Sequence, residues 1–353
     1  MNKNNKSNNI NTNKFSFEDF ALIACGHTAF QLLWSGVQLN IFNILFKNPG
    51  LDHEQIAREL KLQLQPARIL LVGLTSLRLI EKVENKYYNS ETTNELLVSE
   101  SPTNMIDVLG WQNYIVYPGL TNFTECLKEN KNLGLLNFEG TEDNLYSRLA
   151  HTPKLEKVFQ NAMSSLSNTA NKILVENVDF KNIKHLVDGG GGDATNAITI
   201  AKANPHINVT VFDSQSVTQI ASENIKSNNL SDRVKTHVGD FFNTPYPENV
   251  DAILFCHILT IWSPSKNIEL LRVANKNLKK GERVIIFNMM GNDDDTGPIS
   301  TALGSPYFLS IATGQGMLYS WKDYENFLNE AGFEIESKQK LPKSHGVIIA
   351  TKK

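Results

Sequence analysis

The period of the apolar positions changes partway along the chain. From residue 15 to about residue 46 they recur at helical spacing, as in Phe20, Ile23, Ala24, Ala29, Leu32, Leu33, Val37 and Ile41, which predicts two or three helices with an extensive apolar surface. Residues 51–60 place Asp52 at a helix N-cap, 65–74 carry a second helical pattern, and 79–83 with 86–90 form a short hairpin pattern. Helix, turn, helix and a two-stranded wing together spell a winged helix. Residues 100–175 predict further helices with an aromatic load of Trp111, Tyr114, Tyr117, Phe123, Phe138, Tyr146 and Phe159.

Beyond residue 182 strands and helices alternate. Strands are predicted at 184–188, 209–213, 234–239, 251–256 and 282–287, with helices at 196–203, 216–227 and 265–278. Short connections between them imply an α/β, Rossmann-like parallel sheet with helices on both faces and ligands at the carboxyl ends of the strands. The chain ends in a helix over 321–331, an extended run over 333–339 and a strand over 344–350, a pair suited to adding an antiparallel edge strand. The expected division is a tail at 1–14, a helical and winged-helix domain at 15–175, and the α/β domain at 176–353.

The stretch 184–198 is the most informative. An apolar run ends in Asp188, four glycines fill 189–192, and a helical pattern starts at Asn196. Glycines let a ligand approach the backbone, and N–H groups at a helix start are free to bond it. The acid precedes the glycines, so the order differs from that of a dinucleotide fingerprint.

Composition narrows the choice. With 353 residues, 41% of them hydrophobic, and a net charge of −3, the chain is long enough for two cores and gives no electrostatic reason to expect nucleic acid or an anionic membrane. The would-be recognition helix at 65–78 carries only Arg68 and Arg78 as cations, whereas a helix in the major groove presents several polar and basic side chains. The module is therefore expected to pack or dimerise rather than to regulate by binding DNA. Cys25, Cys126 and Cys256 form no disulfide framework, which suits a reducing compartment. Residues 1–14 are rich in Asn and Lys, as in a disordered tail, and contain no signal-peptide core, and no apolar run approaches the roughly 20 residues of a membrane span. A cytoplasmic protein is expected.

Several motifs occur together and in order: Phe159-x-x-x-Met163-x-x-x-Ser167, Leu186-Val-Asp188 running into Gly190-Gly-Gly192, Val211-Phe-Asp213, Val238-Gly-Asp-Phe-Phe242, the Trp262 segment and Ala331-Gly-Phe333. In this order they resemble the S-adenosylmethionine-dependent small-molecule O-methyltransferases, bacterial relatives of the plant phenol methyltransferases, over residues 15–353. The resemblance implies a class I methyltransferase sheet behind an N-terminal dimerisation domain, a homodimer through the N-terminal helices, and S-adenosylmethionine as cofactor, in secondary metabolism. It also implies cofactor contacts at Met163, Ser167, Asp188, Gly190, Gly191, Asp213, Asp240, Phe241, Cys256 and Trp262. Asp213 is placed to accept from a ribose diol, Asp188 to face the ammonium, and Asp240 with Phe241 to bond and stack the adenine.

The chain departs from that family where the chemistry lies. Members that methylate phenols carry Leu-His-Asp-Trp, with the histidine as base; here Thr260 and Ile261 stand in place of the histidine and aspartate. The family's glutamate after the fifth strand falls near Asn288, and its Glu-Arg-Thr motif reads Leu318-Tyr-Ser320. What remains is His257, which shares a face with Thr260 if a helix starts there, and the acid run 293–295, which with His257 offers a mixed metal site although no metal is expected by default. The expected reaction is methyl transfer to a small acceptor, at a hydroxyl or an enolisable carbon, with His257 and Thr260 at the reacting end. Alternatives are metal-assisted C-methylation of a 2-oxo acid, or a non-methylating lyase or pericyclic reaction on the same fold. Trp111, Met289, Tyr307 and Phe308 are candidate acceptor contacts.

Overall fold

The computed structural model describes residues 15–353, and the expected tail at 1–14 lies outside the described residues. The chain divides into two compact units, Met1–Ile106 and Asp107–Lys353.

In the first unit the expected helices form at Phe17–Ala24, Gly26–Gln38 and Ile41–Lys47. Local chemistry fixes their starts and those that follow. Ser16 caps the first through a reciprocal bond with Asp19, and Asp52 caps His53–Glu59, its Oδ1 accepting from Gln55 N at 2.9 Å while Gln55 Oε1 accepts from Asp52 N at 2.9 Å. Helix Leu64–Ser76 follows, and strands β1 (Leu51–Asp52), β2 (Ile80–Val83) and β3 (Lys86–Asn89) pair in the order β1-β3-β2. Ile41, Phe42, Leu45, Ile56, Leu71 and Leu74 make the core. Leu64, Ile69 and Val72 are exposed on Leu64–Ser76, so that helix presents apolar rather than basic side chains.

The second unit is built on a seven-stranded sheet. Its strands are β4 (His185–Gly189), β5 (Asn208–Asp213), β6 (Val234–Val238), β7 (Ala252–Cys256), β8 (Arg283–Met289), β9 (Phe333–Lys340) and β10 (His345–Lys352), ordered β6-β5-β4-β7-β8-β10-β9. β4 to β8 are mutually parallel, and β10 runs antiparallel to both β8 and β9. The antiparallel strand is thus inside the sheet rather than at its edge. Its Val347, Ile348 and Ala350 are buried, whereas β9 carries Glu334, Lys338 and Lys340, charges that suit an edge.

The apolar alternation fills both faces of the sheet. Leu186 of β4 packs with Leu174, Ala197 and Ala221 on one face, and the adjacent Val187 with Leu270, Leu271 and Phe327 on the other. The boundary between units falls at 106/107, not at 175. Two contacts explain the difference. Ile115, Leu135, Leu145 and Leu149 share one core with Tyr307, Ile311 and Ala312, and Ile173 and Leu174 of helix Pro153–Asn177 pack in the core beneath β4. In that helical region, Gln112–Val116 and Phe308–Ala312 are π-helical turns, a form frequent at functional sites.

Candidate active site

At the carboxyl end of the sheet, β4 delivers Asp188 into the interior. Its side chain is fully buried, and neither carboxylate oxygen has a hydrogen-bond partner among the described residues. The turn that follows is shaped around it. Gly190 sits at φ +77°, and a Cβ there would come within 2.3 Å of Ile258 Cδ1; a Cβ on Gly191 would lie 2.5 Å from Asp188 Oδ2. Glycine keeps the space over the carboxylate open. Asp213, at the end of β5, fixes the turn by accepting from Gly192 N at 3.0 Å and from Ser214 N at 2.7 Å. Burial, and then the neighbouring Asp213, push Asp188 up to about 7 against the opposing Asn196 amide, and burial raises Asp213 as well. A buried carboxylate opposed by one neutral amide and by no cation, under an open glycine turn, fits a cationic ligand.

The other expected cofactor contacts border strand ends or lie on one helix. Asp240, after β6, is exposed and engaged in its own turn, accepting from Phe242 N at 3.0 Å and Asn243 Nδ2 at 2.6 Å. Phe241 packs edge-on against Phe212 at 5.5 Å. Trp262 packs edge-on against Phe242 at 5.8 Å, and its Nε1 is buried without a partner. Met163 and Ser167 are half-buried on Pro153–Asn177, four residues apart and so on one face. One turn further stands Asn171, which sequence reasoning missed; it is buried, with both Oδ1 and Nδ2 unpartnered.

His257 follows β7 directly. It adopts φ +58°, and turns, not a helix, connect it to helix Pro264–Asn277, so the expected shared helical face with Thr260 does not form. The two residues meet in another way: the buried Thr260 donates its hydroxyl to His257 O at 2.9 Å, which stabilises the turn. Asn288, buried at the end of β8, sets the state of the imidazole. Its Oδ1 accepts from Met289 N at 2.9 Å, so the same oxygen faces His257 Nδ1 at 3.1 Å; the proton sits on Nδ1 and the lone pair on Nε2. Burial and the neighbouring His345 hold His257 down to about 3, against the raising effect of Asn288.

His345 was not singled out from the sequence, where nothing marks it. Antiparallel pairing of β10 with β8 sets it opposite Met289, stacked on Phe287 at 5.1 Å and edge-on to His257 at 5.2 Å. Cys256 is buried beside Asp188, and burial pushes its thiol well up. Met289 is half-buried at the end of β8. Trp111 and Tyr307 meet edge to face at 5.0 Å, and Phe308 packs on Tyr307 at 5.2 Å. The acid run does not join His257: Asp293 accepts from Lys322 N at 2.7 Å, Asp294 accepts from Thr296, and all three acids are exposed. Among the described residues no group of three or more His, Cys, Asp or Glu side chains is gathered as a metal would need.

Sheet order, glycine turn and orphaned carboxylate together define a methyltransferase of the S-adenosylmethionine-dependent kind, with a mainly helical N-terminal region. The family profile described as an O-methyltransferase domain matches residues 123–334, and the chain belongs to that family. It is 39% identical over 339 residues, 95% of this chain and 93% of the relative, to an L-tyrosine C(3)-methyltransferase of Streptomyces lavendulae. The apo crystal structure of the S-adenosylmethionine-dependent methyltransferase SibL superposes with a TM-score of 0.86 at 35% identity, covering 96% of this chain and 99% of that one. The human N-acetylserotonin methyltransferase in complex with S-adenosylmethionine superposes at 0.82 with 23% identity, covering 97% and 99%, and shares the fold. The chain is an S-adenosylmethionine-dependent small-molecule methyltransferase.

Proposed function

We propose that this enzyme methylates a ring carbon of a phenolic, amino-acid-like acceptor, beside the hydroxyl, with His257 taking the hydroxyl proton. The observation that carries the reading is the bond from His257 to Asn288, which leaves a neutral imidazole with its Nε2 lone pair unclaimed by that bond, while the family's base position holds a threonine tied to the backbone. The similarity to a tyrosine C-methyltransferase supports carbon as the acceptor atom.

A phenolate is ambident, and the atom held in line with the methyl group is the one alkylated. The cofactor supplies an electrophilic methyl group on a cationic sulfur. Asp188, unpartnered and buried, holds its positive end, and Gly190 and Gly191 make room for it. Moving the proton acceptor from position 260 to 257 relocates the hydroxyl, so that the adjacent ring carbon faces the methyl group instead. The phenol hydroxyl donates to His257 Nε2, which draws off its proton as the ring carbon would take the methyl group that the cofactor supplies, and the displaced ring proton would leave to solvent, restoring aromaticity. Met163, Ser167, Asp213, Asp240, Phe241, Cys256 and Trp262 complete the cofactor site in this reading, with Trp111, Met289, Tyr307 and Phe308 around the acceptor. Metal-assisted methylation of a 2-oxo acid is less well supported, because the acids it needs are exposed and occupied elsewhere.

The exposed Phe15, Phe17, Phe20, Leu22 and Ile23 further support a homodimer through the first helices. Incubation with labelled cofactor and a panel of phenols, 2-oxo acids and amines tests the reading. Transfer to phenols that survives a chelator supports it, and transfer only to oxo acids, lost on chelation, rejects it.

A further inference from the structure

Among the buried donors of the second unit that lack a hydrogen-bond partner, two lie side by side. Trp111 closes helix Ile106–Trp111 just before one π-helical turn, and Tyr307 closes helix Ile299–Tyr307 just before the other. The rings touch at 5.0 Å, and both Trp111 Nε1 and Tyr307 Oη are buried without a hydrogen-bond partner among the described residues. Tyr307 is 6% exposed, and the Tyr146 hydroxyl lies beside it and interacts with it. Ser310, within the second π-helical turn, is fully buried with its Oγ unpartnered too. An indole N–H can only donate, so the missing partner is an acceptor. Leaving such groups unpaired costs ~1–3 kcal/mol each, which a ligand oxygen recovers.

We propose that Trp111 Nε1 and Tyr307 Oη bind a carbonyl or carboxyl oxygen of the methyl acceptor, at the end remote from the methylated ring. This rests on the phenolic acceptor argued above and adds to it: the substrate class is a phenol bearing an sp² oxygen on its side chain, not a simple phenol or a phenolic amine. Arg148, in the same helical region, donates to the carbonyls of Glu142, Leu135 and Phe138, so the recognition is carried by neutral donors. A site that hydrogen-bonds a substrate group discriminates strongly against an analogue lacking it, because its own buried donors are then stranded.

Equilibrium binding to the protein saturated with S-adenosylhomocysteine tests this apart from turnover. Tyramine and tyrosine amide, compared below about pH 7 where both amines are protonated, differ by one carboxamide; tyrosine itself distinguishes a carboxylate from an amide carbonyl. Tyrosine amide, tyrosine or both should bind at least ~10-fold more tightly than tyramine. Trp111→Phe and Tyr307→Phe should each shrink that ratio, by weakening tyrosine amide or tyrosine more than tyramine. Equal binding of all three to the unaltered protein, or a ratio untouched by either substitution, overturns the proposal. Turnover of tyramine alongside such equal binding would sink this subsite while leaving methylation of phenols intact.

Discussion

Replacing Asp188 by Asn tests the electrostatics of the site most sharply. The carboxyl is fully buried and unpartnered, and its rise from 3.8 to about 7 corresponds to roughly 4 kcal/mol against the ionised form, an upper bound once local relaxation is allowed. The sign follows from proton linkage. A carboxyl whose folded pKa is raised binds more protons folded than unfolded between those two values, so the cofactor-free enzyme loses stability as pH climbs from 3.8 to about 7 and is flat above. Cofactor binding runs the other way, because the cation needs the ionised carboxylate. Affinity for S-adenosylmethionine should weaken up to ~10-fold per pH unit below about 7 and level off above it, with a proton released on binding below that point. Asp188→Asn should abolish the pH slope and the proton release, weaken binding by at least ~10-fold near pH 8, and stabilise the free protein by up to ~2–4 kcal/mol. Calorimetric titration in two buffers of unlike ionisation heat counts the proton, and urea unfolding with and without the substitution measures the stability. A pH-independent affinity with no proton release, or unimpaired binding by the variant, would refute the reasoning.

Other substitutions probe the remaining parts. His257→Ala should lower kcat by about 10²-fold or more with cofactor affinity within ~2-fold, and because His257 is held down to about 3, the unaltered enzyme should show no limb from its titration between about pH 5 and 9 in a rate profile. Unchanged kcat in the variant removes it from the mechanism. Asn171→Leu, which deletes a buried amide with two unpaired atoms, should raise the stability of the free enzyme by ~1–2 kcal/mol in urea unfolding. If its carboxamide faces the cofactor with Met163 and Ser167, calorimetry should also record weaker S-adenosylmethionine binding; unchanged affinity places it outside the site. Gly190→Ala puts a Cβ at φ +77° against Ile258 and should abolish the thermal shift that the cofactor gives the parent enzyme. A full shift would mean the turn has slack that the geometry does not contain.

Much of the fold was legible because its signals are local. Asp52 caps its helix as its position suggested, and β4 to β8 follow apolar runs bounded by turn residues. The misreadings arise where long-range packing decides. β10 enters the sheet between β8 and β9 because its apolar residues need two neighbours, while helices between 107 and 175 join the second unit through Leu186 and through Ile311, which is far away in sequence. The site divides in the same way. The glycine turn and Asp213 announce themselves, being consecutive or evenly spaced at strand ends. His345, set against His257 by strand pairing, and Asn171, an amide without a partner, have no sequence signature, because only the tertiary fold creates their surroundings. The positive φ at His257 likewise removed the helix that its spacing from Thr260 had suggested.

Where the methyl group goes is read most directly from the product. The enzyme is incubated with S-adenosylmethionine carrying a ¹³C-labelled methyl group and a phenolic amino acid, and the product is examined by carbon and proton NMR. An aryl methyl signal is expected on the carbon beside the hydroxyl, with one ring proton lost and the phenol intact. A methoxy signal, or no transfer to any phenol by enzyme that binds the cofactor, would contradict it.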